Sequence, residues 1–224
     1  MSAHLQSGPV IGRPDAAASP ARPEGPGPDG RRGYHHGHLR AALIEVGLEI
    51  LETEGLHALT LRALAARIGV SHTAPKNHFE NVRALWSALG TEGFWRLGKT
   101  LKDSTKGNGP RQEKLRNVAR SYVDFALSQP ALFQLMFSPF HCDKDDPMLA
   151  EAEAAAEAIF AELAGGLDWS RNHAPFGHQR TEWMLWCYMH GYAMLAISGR
   201  LERDAQGRPI HDVLKVMPTF DYGR

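Results

Sequence analysis

From Leu39 onward the large apolar residues recur at steps of three and four, and no segment alternates apolar with polar over a strand's length. That spacing lays an apolar stripe along a helix, so the chain reads as all-α. Leu39, Leu43, Val46 and Ile50 form the first stripe, stopped at Gly55. Leu61, Leu64, Ala65 and Ile68 form a second, with Thr60 as its N-cap and Gly69 just past its end. Ser71 is the predicted cap of a short third helix ending near His78. A fourth is predicted from about Glu80, past Trp86 and Leu89, to the "KGNGP" break at 106–110. Beyond it the stripe Leu115, Val118, Tyr122, Phe125 predicts another helix, and "PALFQLMF" a short one. Residues 147–164, rich in Ala and Glu and closed by Gly165 and Gly166, predict a further helix. A long helix over 176–201 and a last short one after Pro209 complete the set.

The start of the chain is different. Residues 1–30 hold six prolines and five glycines, with almost no large apolar residue after Ile11. Such a segment cannot bury enough surface to offset its ordering entropy, so it is expected to be a disordered arm. A helix-turn-helix domain is expected over 31–86, and a C-terminal helical bundle over 87–224. Basic and acidic residues balance at 25 each, so any surface for a polyanion must be local. Cys142 and Cys187 stand far apart without metal-type spacing, which excludes a disulfide framework and points to a reducing cytoplasm. No apolar run is long enough for a membrane span, and "MSAHLQSGPV" lacks a signal-peptide pattern.

The stretch "LTLRALAARIGVSHTAPKNHFE", residues 59–80, sets two short helices around a Gly-Val-Ser turn. The second is too polar to be a core helix. In a helix-turn-helix the first helix buries its apolar face and holds the second outward, where a DNA groove completes its polar side chains. His72, Thr73, Lys76 and Asn77 are the residue types that contact base edges and phosphates. Ser71 and His78 flank them, Thr60 and Arg62 begin the preceding helix, and Arg31 and Arg32 of "GRRGYHHGHLR" could cross a phosphate backbone. From the residues alone, an αα-corner with a solvated polar face is the competing interpretation.

The order of these features resembles a known family. "LRAALIEVGLEILETEGLHALTLRALAARIGVSHTAPKNHF" is similar to the DNA-binding domain of TetR-family transcriptional regulators. "YHHGHLR" and "SHTAP" resemble a subgroup with a C-terminal Trp-His-Gly signature, which Trp186, His190 and Gly191 of "LWCYMHGYAML" match with a gap. The resemblance implies a homodimer that binds a near-palindromic double-stranded DNA operator as a repressor, and that a small apolar or amphipathic effector releases it. Two positions depart from the family pattern. Lys76 stands where an aromatic Tyr is usual, and Val82 where a Lys is usual, with Arg83 next to it.

Trp183, Trp186, His190, Ala193, Met194, Ile197 and Leu201 form one stripe of the 176–201 helix, yet Met184, Cys187, Tyr188, Gly191 and Leu195 make its other faces apolar too. A helix apolar all round must be covered all round, by its own core on one side and by a second copy on the other. With Phe94, Tyr122, Phe133, Met136 and Phe137, the residues Trp183, Trp186 and Met194 are candidates for a ligand cavity, and His190 for its polar handle. Plain core packing is the alternative for each. Enzymatic constellations are thin. Cys187 and His190 lack a third orienting residue, and His178 with Glu182 lacks a third metal ligand. His35, His36 and His38 lack a second ligand pair. No catalytic residue, metal or cofactor is therefore expected. The runner-up is a helical small-molecule-binding protein or enzyme that does not bind DNA.

Overall fold

Helix α1, Leu39–Glu54, opens the described part of the computed structural model, which covers residues 39–164, 177–210 and 212–216, side chains excepted at 177–180 and 216. Arg31, Arg32, the histidines 35, 36 and 38, and Gly165–Gly166 lie outside the described residues. Leu43, Leu48, Ile50 and Leu51 bury the inner face of α1, and Gly55 ends it at φ 85°, a backbone angle that glycine reaches without strain. After a 3-10 turn at Leu56–Ala58 comes α2, Leu61–Ile68. The Thr60 hydroxyl oxygen accepts from the Ala63 amide at 3.1 Å, and Gly69 closes the helix in the left-handed region at φ 79°. Both ends follow local rules of capping, and both agree with the sequence.

The third element departs from expectation. Ser71 caps no helix; its hydroxyl lies 3.2 Å from that of Thr73, and the chain makes only a 3-10 turn at Ala74–Asn77. Pro75 explains this. It has no amide to donate and disfavours helical geometry at Ala74, so a regular helix cannot propagate from Ser71. The next helix also starts later than expected, at Val82, with the Asn81 side chain accepting from the Ala84 amide at 2.9 Å.

That helix, α3, runs for 23 residues from Val82 to Ser104 and joins the two halves of the molecule. Its first half packs under α1, where Gly47 lets Leu89 approach so closely that a Cβ would lie 3.2 Å from it. Its remainder packs against α4 (Arg111–Ser128), α5 (Pro130–Met136) and, most extensively, α6 (Pro147–Ala164). Helix α7, Gly177–Ile197, lies on α4 and α6, and α8, Val213–Val216, closes on α4. Among the described residues there is no strand, only an isolated bridge between Arg203 and Pro209. The predicted stripe Leu115, Val118, Tyr122 and Phe125 is buried throughout.

Helix α7 corrects the sequence in phase. Thr181, Leu185, Met189, Ala193 and Ala196 face the core, whereas Trp183 is 63% exposed and Met194 is 37% exposed on the opposite side. Trp186 and His190 sit at the border. A helix apolar on every side satisfies the three-and-four rule in several rotations, so periodicity alone could not choose among them.

Candidate nucleic-acid interface and effector cavity

The helix-turn-helix is assembled from two short pieces on a small apolar seat. Leu64 and Ala65 bury the inner face of α2, and Pro75 and Phe79 anchor the turn that follows. Its backbone closes on itself: the Ala74 amide donates to the Ser71 carbonyl at 3.0 Å, Lys76 to Thr73 at 3.1 Å, and Phe79 to Pro75 at 2.9 Å. With these backbone bonds made and two anchors inside, Ser71, His72, Thr73, Lys76 and Asn77 are exposed to solvent; His78 is half-buried, a partial correction. Thr60 and Arg62 are exposed beside them. Helix geometry leaves the first amides of α2 without partners in the helix, and Thr60 takes up only that of Ala63.

Charge around this surface is sorted by pairing. Arg67 is tied to Glu49 at 3.4 Å and to Glu54, while Lys76 and Arg62 enter no ion pair among the described residues. Arg40 covers the Phe79 ring, its guanidinium carbon 5.6 Å from the centroid. Arg83, the neighbour of the absent family lysine, does not replace it. It reaches back to Asp143 at 3.7 Å and to the Cys142 carbonyl at 3.3 Å, on the C-terminal half.

A cavity of about 370 Å³ opens between the end of α5, the loop after it, α6 and α7. Of the predicted ligand residues, Met136, Phe137 and Trp186 line it; Cys142, Leu149 and Glu153 join them unforeseen. Those three come from a polar loop and an ordinary amphipathic helix, which carry no local signal of a cavity wall. Behind the wall lies His190, its ring 4.5 Å from Phe137 and stacked at 5.4 Å on Phe133. The Tyr122 hydroxyl and His190 Nδ1 are hydrogen-bonded at 3.0 Å. Burial raises the Tyr122 pKa and lowers that of His190, favouring the neutral form of each. Phe94, Tyr122 and Phe133 are fully packed in the core, Phe94 edge-on to Phe137 at 5.2 Å. Trp183 and Met194 face away from this region.

Among the described residues, no group of three or more His, Cys, Asp or Glu could hold a metal ion. Burial pushes the Cys142 thiol up to about 11, and its sulfur hydrogen-bonds the Leu135 carbonyl at 3.4 Å. Gly93 to Thr100 spells a phosphate-loop pattern, G-x-x-x-x-G-K-T, but lies wholly inside α3, where its amides belong to the helix. No helix among the described residues is long and apolar enough to cross a membrane.

Residues 115–216 match the family model described as tetracyclin repressor-like, C-terminal domain. The chain belongs to the TetR family of transcriptional regulators. YobS of Bacillus subtilis strain 168, an uncharacterised HTH-type transcriptional regulator, is 22% identical over 169 residues, which span 75% of this chain and 84% of that protein. The tetracycline repressor protein class C of Escherichia coli is 48% identical over 50 residues, 22% of this chain and 23% of that one. A solved protein of unknown function from Rhodococcus sp. RHA1 shares 30% identity with a TM-score of 0.66, covering 79% of this chain and 92% of that one. As in other TetR-family regulators, an N-terminal helix-turn-helix is followed by an all-helical C-terminal domain.

Proposed function

We propose that this TetR-family regulator is a homodimeric repressor that occupies a near-palindromic operator through residues 31–86. A small apolar or amphipathic molecule entering the cavity within residues 87–224 releases it. The observation that carries the reading is the outward set Ser71, His72, Thr73, Lys76 and Asn77, five polar side chains held off the core by Pro75 and Phe79. Asn77 and Lys76 are suited to base edges, Thr60, Arg62 and the α2 amides to phosphates, and Arg31 and Arg32 to the backbone alongside.

Dimerisation is supported by the outer face of α7. Trp183, Cys187, Met194 and Leu195 are exposed there, and a Cβ built on Gly191 would meet nothing within 4 Å. A second copy covering that face removes apolar area from water and gives the twofold axis that sets two heads about one DNA turn apart, roughly 34–36 Å. Release then follows from differential affinity. An effector favouring the conformer whose heads are mis-spaced drains the DNA-bound population. Helix α3 is the lever, since it packs into both halves. The two cysteines are free, as suits a reducing cytoplasm.

The test begins with a duplex that the wild-type protein selects from a random pool. Replacing Lys76 and Asn77 together by Ala should weaken binding to it by about 100-fold, the sum of two lost base or phosphate contacts. Binding should also weaken steeply with salt. Unchanged affinity in the double variant would defeat the assignment of this surface.

A further inference from the structure

We propose that Glu52 is the positioning residue that fixes the DNA-reading head against the effector-binding body. Every helix begins with amides that have no partner within it. At the start of α5 the usual local remedies are missing. Pro130 has no amide proton, and the Gln129 side chain makes no capping bond. The acceptor comes instead from the last turn of α1, eighty residues earlier in the chain. One Glu52 carboxylate oxygen accepts from the Leu132 amide at 2.8 Å, and the other lies 3.4 Å from the Ala131 amide. Leu132 is 0% exposed, with the exposed Glu52 side chain covering its amide.

The opposite end of α5 is where the cavity lies. Met136 and Phe137 form part of its wall. Met136 also lies directly over Gly93 of α3, where a Cβ would fall 2.6 Å from its sulfur. A helix of seven residues is about 10 Å long and moves as one piece. Whatever tilts its cavity end must therefore strain or break the Glu52 bond at the other, and so change how α1 sits on the body. This inference rests on the regulator reading above and names the contact through which that site is coupled to the head.

A structural cap and a bystander charge predict opposite signs. A carboxylate near DNA that did nothing else would repel phosphates, so its removal would tighten binding. In the full chain, Glu52→Ala should instead weaken binding to the selected duplex about tenfold, a loss the size of one helix cap, while affinity for an unselected duplex does not fall. Glu52→Gln keeps a carbonyl oxygen for the Leu132 amide and should recover most of that loss; it also keeps the test open should the Ala variant unfold. Deuterium exchange at the Leu132 amide should accelerate in Glu52→Ala and much less in Glu52→Gln. Equal or tighter binding by both variants, or unchanged exchange at Leu132, would overturn the proposal. A wild-type protein that selects no duplex at all would defeat the DNA reading and this coupling with it, a failure distinguishable from the others.

Discussion

Ser71–His78 and Trp186–Met194 each crowd polar and aromatic chemistry into eight or nine residues, yet they are built in opposite ways. In the first, the polar side chains face water and the segment is held by backbone hydrogen bonds and two buried anchors, Pro75 and Phe79. In the second, the polar handle turns inward: His190 is bonded to Tyr122 and packed among Phe133, Phe137 and Trp186. The head thus divides its labour, with some residues folding it and others left to meet a ligand. The cavity edge does not, because Phe137 and Trp186 are at once core and wall. Affinity and stability should be separable in one region and entangled in the other.

The sharpest way to break that contrast is inside the head. Phe79 is 2% exposed, and Phe79→Ala should cost about 3–5 kcal/mol in urea denaturation. Lys76→Ala, three residues away and exposed, should stay within about 0.5 kcal/mol while weakening DNA binding. Comparable stability losses in the two variants would show that the outer residues share in holding the fold.

The same division explains what could be read from the sequence. Thr60 and Gly69 were legible as the ends of α2 because capping depends on a few adjacent residues. The outward face of Ser71–Asn77 was legible because its composition is unfit for burial. Its backbone form was not, since one proline turned a helix into a 3-10 turn. Nor was the rotation of α7, whose apolar residues surround it, so that Trp183 and Met194 were expected inside and lie outside. The Glu52 contact, spanning eighty residues, leaves no trace in any local pattern.

On the entangled side, Tyr122→Phe removes a single hydroxyl from a packed ring. It should cost about 1–2 kcal/mol, because His190 Nδ1 loses its hydrogen-bond partner. For a chain of this size that lowers Tm by roughly 2–4 °C per kcal/mol. A shift in effector response alongside it would confirm that packing and ligand recognition are not separable there. Thr60→Ala probes a head residue that caps a helix and is proposed to meet phosphate. A stability loss of about 1 kcal/mol is expected. Loss of stability without loss of DNA affinity would assign Thr60 to folding alone.

The smallest effect tests whether the inward histidine is neutral. Burial holds the His190 imidazole below its ordinary pKa of 6.5, and Tyr122, its bonded neighbour, stays protonated because burial raises its own pKa. The unfolded chain therefore takes up a proton before the folded one does. It follows that the contribution of His190 to stability is complete above pH 6.5 and is lost as pH falls through the folded value. Thermal midpoints should drop on acidification below that point. In His190→Gln, whose side-chain carbonyl can still accept from Tyr122, the drop should be shallower. Parallel acid limbs in the two proteins would mean that the imidazole is charged, or hydrated, in the folded state. The cavity edge would then resemble the head more closely than the packing of Phe133 and Phe137 around His190 implies.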